Sequence, residues 1–282
     1  MKILCLLLIA LQSHAWIPRG MQILNKAVEN SGTGIYQIEY EVQIPVGVET
    51  YAIKEKWLIE NDGTMKLTAT GLRELKDQFQ WQTLYTGGQK YQLTAQGKLN
   101  EPLPVSFIER VFHFRNSDSF ANYLVQQQIA PSAIFQGSKR ALKALTEVNN
   151  QSESFLRLSR TGGTIAFAFG TPSLNSSVNS SVENSPGLWI DQDQFVVRKF
   201  RDARQVEIIA DQYQTYSRGL IHPKLRTVKW GQQTWNIVTT QVQTKPFSQK
   251  DFQVSSLDLV SKNNISQENL KTQIQEFYSQ LR

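Results

Sequence analysis

The sequence predicts an α+β protein built on a strongly twisted antiparallel sheet, covered by helices and carrying a helical insertion between two sheet halves. Three observations predict it. Apolar and polar residues alternate with a period of two from Thr33 to Thr94 and again from Gly187 to Thr244. Between these stretches, from Pro102 to Val148, the apolar spacing becomes helical. A further amphipathic helical stretch stands near each end of the chain.

The first fifteen residues lie outside this pattern. Lys2 is followed by the apolar run Ile3 to Leu11, and then by Ser13-His14-Ala15, with small residues at the positions a signal peptidase reads. The run stops at Gln12, well short of the roughly 20 apolar residues a spanning helix needs. We therefore expect residues 1–15 to be a signal peptide cleaved after Ala15, and residues 16–282 to form one β-rich domain. The single cysteine, Cys5, leaves with the signal. An exported chain without disulfides points to the bacterial periplasm rather than a eukaryotic secretory route. The net charge of +6 is interspersed along the chain, which argues against nucleic acid as a partner and allows at most transient contact with an anionic membrane surface. A monomer is expected.

Along the mature chain, Ile17, Met21, Leu24 and Val28 recur at helical spacing before Gly32 and Gly34. Tyr36, Ile38, Tyr40, Val42 and Ile44 then alternate with Gln37, Glu39, Glu41 and Gln43, as in a strand with one wet face. Tyr51, Ile53, Glu55, Trp57 and Ile59 share one face of the next strand, and Asn61-Asp62-Gly63 marks a hairpin. The alternation continues through Met65, Leu67 and Ala69, through Phe79, Trp81, Thr83 and Tyr85, and past Gly87-Gly88 to Tyr91 and Leu93. In the insertion, Ile108, Val111 and Phe112 suit one helix, and Phe120, Tyr123 and Leu124 a second capped by Ser117 or Asp118. Ala141, Leu142, Leu145 and Val148 suit a third. Strand signals resume at Ile165, Phe167 and Phe169. A Ser/Asn-rich loop spans about 173–186, and five more strands follow from Gly187 to Thr244. Leu270, Ile274, Phe277 and Leu281 share one side of a closing helix capped by Ser266.

The residues exclude several chemistries. With only His113 and His222 beyond the signal and no cysteine, an ordinary zinc site cannot be assembled, so no metal is expected. There is no glycine-rich phosphate loop and no nucleophile elbow, and neither a cofactor nor a catalytic residue is expected. The one acid that stands out is Glu55, a possible buried polar group on an otherwise apolar strand face. There it must be paired or have its ionisation suppressed.

An apolar face this rich in aromatic residues must meet helices, another sheet or a ligand. If a hydrophobic guest is held, Tyr40, Trp57, Trp81, Tyr85, Phe167 and Phe169 are its expected wall. The order of features then becomes familiar: a helix, a long strand, Glu55-Lys56-Trp57 before Asn61-Asp62-Gly63, helices interrupting the sheet, and Gly187-Leu188-Trp189-Ile190-Asp191. Tyr213 to Pro223 and Val238 to Phe252 follow. From Met21 to Leu259 this resembles the superfamily of periplasmic outer-membrane lipoprotein carriers and lipoprotein-sorting proteins. The resemblance implies an open, incomplete β-barrel with a helical lid, and non-catalytic carriage of acylated proteins or other lipids. It also implies a lid-latching strand arginine after the tryptophan, but residues 58–61 contain none.

Two main readings follow. One is a periplasmic carrier or binding protein whose partner is a lipid, acyl chain or lipoprotein held in an apolar cavity. The other is an envelope module on the same scaffold that binds a protein partner without transporting lipid. A hydrolase acting through Glu55 is a third and smaller alternative.

Overall fold

The computed structural model describes residues 17–136, 155–171 and 185–282. The predicted signal peptide, the third inserted helix at 141–148 and residues 173–184 of the serine-rich loop lie outside the described residues.

The first meander comprises β1 (Ile35–Val46), β2 (Glu49–Asn61), β3 (Thr64–Gly71), β4 (Phe79–Thr86), β5 (Gln89–Thr94) and β6 (Gly97–Pro102). The second comprises β7 (Leu156–Thr161), β8 (Thr164–Phe169), β9 (Gly187–Asp191), β10 (Val197–Arg201), β11 (Glu207–Thr215), β12 (Ile221–Trp230) and β13 (Gln233–Lys245). All belong to one antiparallel sheet, in the order β6-β5-β4-β3-β2-β1-β13-β12-β11-β10-β9-β8-β7, with the two-residue β14 (Lys262–Asn263) paired to the start of β4. The two meanders join where β1 pairs with β13. Their outer strands, β6 and β7, remain free edges, so the sheet curls without closing into a barrel.

This topology decides where the insertion lies. The chain leaves one edge of the sheet at β6 and re-enters at the opposite edge at β7, and the described part of the connection packs on the concave side. There stand a 3₁₀ turn over Ile108–Phe112, helix α2 (Ser117–Gln126) and the short helix α3 (Ala133–Gln136). Helix α1 (Gly20–Glu29), which precedes β1, packs on α2 and α3. Gly32, in the link from α1 to β1, has φ +63°, and a side chain there would run into the Tyr36 hydroxyl and the Leu220 backbone. The final helix, α4 (Glu268–Glu276), continues into a π-helical turn over Phe277–Leu281 on the same concave side.

The concave face forms the main core. Ile38, Tyr40, Val42, Trp57, Leu67, Tyr85, Phe169, Ile190 and Trp235 are all fully buried in it. A second, smaller core lies on the convex side of the first meander, where the segment 245–261 returns across the sheet. Phe252 and Leu257 there cover Ile35 and Leu84, with Leu58, Tyr91 and Leu93 packed around them.

Several local expectations need correction. The first inserted helix is a 3₁₀ turn, because the apolar run from Ile108 to Phe112 is too short to add α-helical turns. Helix α2 is capped by Asn116, whose side-chain oxygen accepts from the Ser119 amide at 2.9 Å, and not by Ser117 or Asp118. Helix α4 begins after Gln267 with no side-chain cap, so Ser266 does not cap it. β5 turns its apolar residues away from the concave face. Tyr91 and Leu93 point to the convex core, which the returning segment makes dry, while Lys90 and Gln92 face the concave side.

Candidate ligand site

Register places the wall residues in adjoining rows. Trp81, Ala69, Glu55, Tyr40 and Thr239 lie opposite one another across β4, β3, β2, β1 and β13. In the next row stand Thr83, Leu67, Trp57 and Ile38, and beyond it Tyr85, Met65, Ile59 and Tyr36. Four of the six predicted wall residues, Tyr40, Trp57, Trp81 and Tyr85, therefore share one patch. Phe167 and Phe169 lie apart from them on β8, where Phe167 meets Phe195 and Phe169 stacks on Phe135 of α3 at 5.9 Å. All six are buried, and the first patch is already covered. Phe107 stacks on Tyr85 at 4.4 Å, Tyr278 packs on Phe79 and Trp81 at 4.9 and 5.7 Å, and the Arg282 guanidinium lies 5.3 Å from the Trp57 ring.

At the centre of this patch lies a buried ionic network. Arg282 grips Glu55 with two parallel bonds, Nε to Oε1 at 3.1 Å and Nη2 to Oε2 at 2.9 Å, and its Nη1 donates to Glu109 Oε2 at 2.7 Å. Arg226 of β12 donates to the same oxygen of Glu109 at 2.8 Å. The other Glu109 oxygen accepts from the Tyr40 hydroxyl at 2.8 Å and from His113 Nε2 at 3.0 Å. The Trp57 indole donates to Glu55 Oε2 at 2.9 Å. Since the single Tyr40 proton goes to Glu109, His222 Nε2, 2.9 Å from that hydroxyl, must be the donor between them. Both carboxylates and both guanidiniums are essentially inaccessible to solvent. Two negative and two positive groups balance, which makes the burial tolerable.

The electrostatics follow from this packing. Burial by itself would raise the Glu109 carboxyl, but Arg226, the His113 bond and Arg282 outweigh it and hold it well below the usual range. Burial lowers His113 in spite of its bond to Glu109, and lowers His222 further with help from Arg226 and His113. Both imidazoles are therefore neutral at neutral pH. Burial also opposes the charge of Arg282, but Glu55 and Glu109 more than restore it and raise its pKa. Arg226 lies 4.3 Å over the Tyr40 ring and 5.1 Å from that of Phe112, while its Nε and Nη2 find no acceptor among the described residues.

Glu55 thus has both oxygens committed to Arg282. The guanidinium over Trp57, for which β2 supplies no arginine, comes from Arg282, far away in sequence. The sequence offers the two histidines only as too few for a zinc site, yet their rings stack 5.5 Å apart against the same network. It singles out neither Glu109, Arg226 nor Arg282. The one local signal available was charge within apolar spacing: Glu109 lies between Ile108 and Val111, and Arg226 alternates with Val228. Among the described residues, no group of acidic, histidine or cysteine side chains is arranged to hold a metal ion.

Beneath α1 and α2 lies a cavity of about 30 Å³ lined by Ala27, Val111, Phe114, Phe120, Val197 and Tyr213, room for a methyl group rather than an acyl chain. A groove of about 500 Å³ runs along the convex side, lined by Lys56, Lys66, Lys245, Asp251 and Asp258 together with Leu58, Pro246 and Leu259. Of the two sides, the concave one carries the larger continuous apolar core.

No protein-family model matches the chain, and no curated protein matches it in sequence. Solved structures do. A LolA superfamily protein from Nitrosomonas europaea is similar with a TM-score of 0.53 at 11% identity, over 86% of this chain and 100% of that one. A domain described as an outer membrane lipoprotein-sorting protein, from Vibrio parahaemolyticus, gives 0.49 at 13% identity, over 84% and 97%. A DUF1329 family protein from Desulfovibrio piger gives 0.49 at 10%, over 85% and 98%. At such identities the likeness concerns the path of the backbone alone, and that path, an open antiparallel sheet roofed by helices, is the LolA-like fold.

Proposed function

We propose that the protein is a periplasmic carrier or binding protein that takes a lipid, an acyl chain or the lipid-modified end of a lipoprotein against the concave face of its sheet, without catalysis. One observation carries the reading. The concave face is apolar from β4 to β8 except for Thr83, Thr239 and the charge-balanced network around Glu55 and Arg226, and its roof consists of separate short pieces rather than a second sheet. Apart from the buried network, which anchors the 3₁₀ turn through Glu109 and the 277–282 turn through Arg282, the pieces are tied down by few polar contacts. Arg110 of the 3₁₀ turn holds Asp62 in the β2–β3 turn at 3.2 Å, Asn30 after α1 holds the Gln194 carbonyl at 2.8 Å, and Arg115 holds the Gly34 carbonyl at 2.7 Å. Such a roof can lift piece by piece while the long strands beneath it stay paired. Tyr40, Trp57, Trp81 and Tyr85 would form one part of the wall, and Phe167 and Phe169 a second part under α3.

Residues 1–15 would direct export and be removed after Ala15. No helix among the described residues is long and apolar enough to cross a membrane. The test is native mass spectrometry of full-length protein purified from a bacterial envelope, together with titration of a fluorescent fatty acid. We expect a co-purifying lipid adduct and saturable uptake. A clean protein mass with no uptake would overturn the proposal.

A further inference from the structure

Residues 277–282 reach the concave face by an unusual route. Segment 245–261 crosses the convex side, β14 adds two residues beside β4 at the end of the sheet, and α4 then carries the chain round to the concave side. There the segment makes the contacts a ligand of this wall would make. Phe277 packs 4.6 Å from Trp235 and 5.4 Å from Trp230, Tyr278 covers Trp81, and Arg282 lies over Trp57. Leu281 is buried with them. The segment is wound as a π-helical turn, with the Arg282 amide bonded to the Phe277 carbonyl at 3.2 Å, a form found mostly as short pieces at functional sites. Among the described residues its backbone is held by a single side chain, Lys90, whose ammonium donates to the oxygens of Tyr278, Ser279 and Arg282 at 2.8 to 3.0 Å.

Charge then selects what can replace the segment. If Arg282 withdraws, Glu109 keeps Arg226, Tyr40 and His113, whereas Glu55 keeps only the Trp57 indole. Around Glu55 and Glu109 two carboxylates would then face one guanidinium, a local excess of one negative charge in a low-dielectric site. The Lys90 ammonium of β5, freed by the same withdrawal, stands over Trp81, three strands from Glu55. A carboxylate head placed at Glu55 would double that local excess, and a neutral one would leave it unbalanced.

Resting on the reading of the concave face as a lipid site, we propose that residues 277–282 are its displaceable occupant, and that the molecule replacing them is a cationic amphiphile with an ammonium or guanidinium head that pairs with Glu55. The head takes the place of the Arg282 guanidinium, and the apolar body takes the places of Tyr278 and Leu281 along Trp57, Trp81 and Tyr85.

The test uses the full chain and three probes with the same twelve-carbon tail: dodecylguanidinium, dodecylammonium and dodecanoate. Binding is followed by tryptophan fluorescence below the micellar concentration, and the segment by hydrogen exchange over residues 270–282. The two cations should bind at least tenfold more tightly than dodecanoate, and their binding should speed exchange in 277–282. Glu55→Gln should shrink the preference to within about twofold. If that variant does not fold, Glu55→Gln combined with Arg282→Leu removes both charges together and should show the same loss of preference. Dodecanoate binding as tightly as the cations, or any probe binding while 277–282 stays protected, overturns this inference and leaves the lipid site standing. Failure of all three tails to bind overturns both.

Discussion

Glu55 and Arg282 stand 227 positions apart and meet through two parallel hydrogen bonds with no exposure to water. Removing one partner of such a pair leaves the other buried and uncompensated, which typically costs about 3–5 kcal/mol. Arg282→Leu and Glu55→Leu should therefore each lower stability by roughly that amount in urea unfolding. The double replacement should cost markedly less than the two single costs combined, because neither charge is then stranded. Strict additivity would show that the pair does not interact in solution. A polar residue placed on the apolar face of a strand announces that a partner must exist. Its identity stays hidden, because Arg282 follows a helical pattern in which a terminal arginine reads as solvated.

At the scale of elements, alternation over eight to thirteen residues made the long strands legible, whereas short pieces depended on details that spacing does not carry. Asn116 rather than Ser117 caps α2, since its side chain reaches the amide three residues on. Asn116→Ala should cost about 1 kcal/mol, visible as a melting-point decrease of a few degrees, while Ser117→Ala and Asp118→Ala should cost less. The facing of β5 has a similar origin. Tyr91 and Leu93 continue the apolar alternation, and they are covered by Phe252, Val254 and Leu257 from the segment that returns over the convex side. Which face of a strand is dry depends on what crosses it. Gly71 offers a check on the close approach at the end of β3. A methyl there would fall 2.0 Å from the Leu75 carbonyl oxygen, so Gly71→Ala should destabilise the β3–β4 connection by about 1–3 kcal/mol, measured by chemical denaturation.

For the whole molecule, the buried network sets the dependence of stability on acid. The folded chain binds protons at His113 and His222 more weakly than the unfolded chain does, so their contribution is present above pH ~6.5 and drains as pH falls below it. Glu109 behaves in the same direction, its contribution being present above its ordinary value of 4.5 and lost below. Urea unfolding across pH 8 to 4 should show stability declining from about pH 6.5, at up to about 1.4 kcal/mol per pH unit for each proton taken up. His222→Gln should remove one proton from that slope. A flat profile between pH 7 and 5 would mean that the histidines are solvated rather than buried. On the alkaline side, burial pulls Lys90 down to about 8, so its term makes stability rise from about pH 8 until the tyrosines begin to titrate.

The sequence by itself determined the antiparallel sheet, the break in period that became the roof, the apolar concave face and the buried place of Glu55. These are local properties, since side-chain direction along a strand has a fixed period and burial follows from it. Only the tertiary structure decided that β1 and β13 join two meanders into one open sheet. It alone decided that the described part of the insertion packs on the concave side, and that Arg282 comes back from far along the chain to fill the space in front of Trp57. Pairing between distant strands and the meeting of charges far apart in sequence depend on which surfaces are left uncovered once everything else has packed. No window of neighbouring residues contains that information.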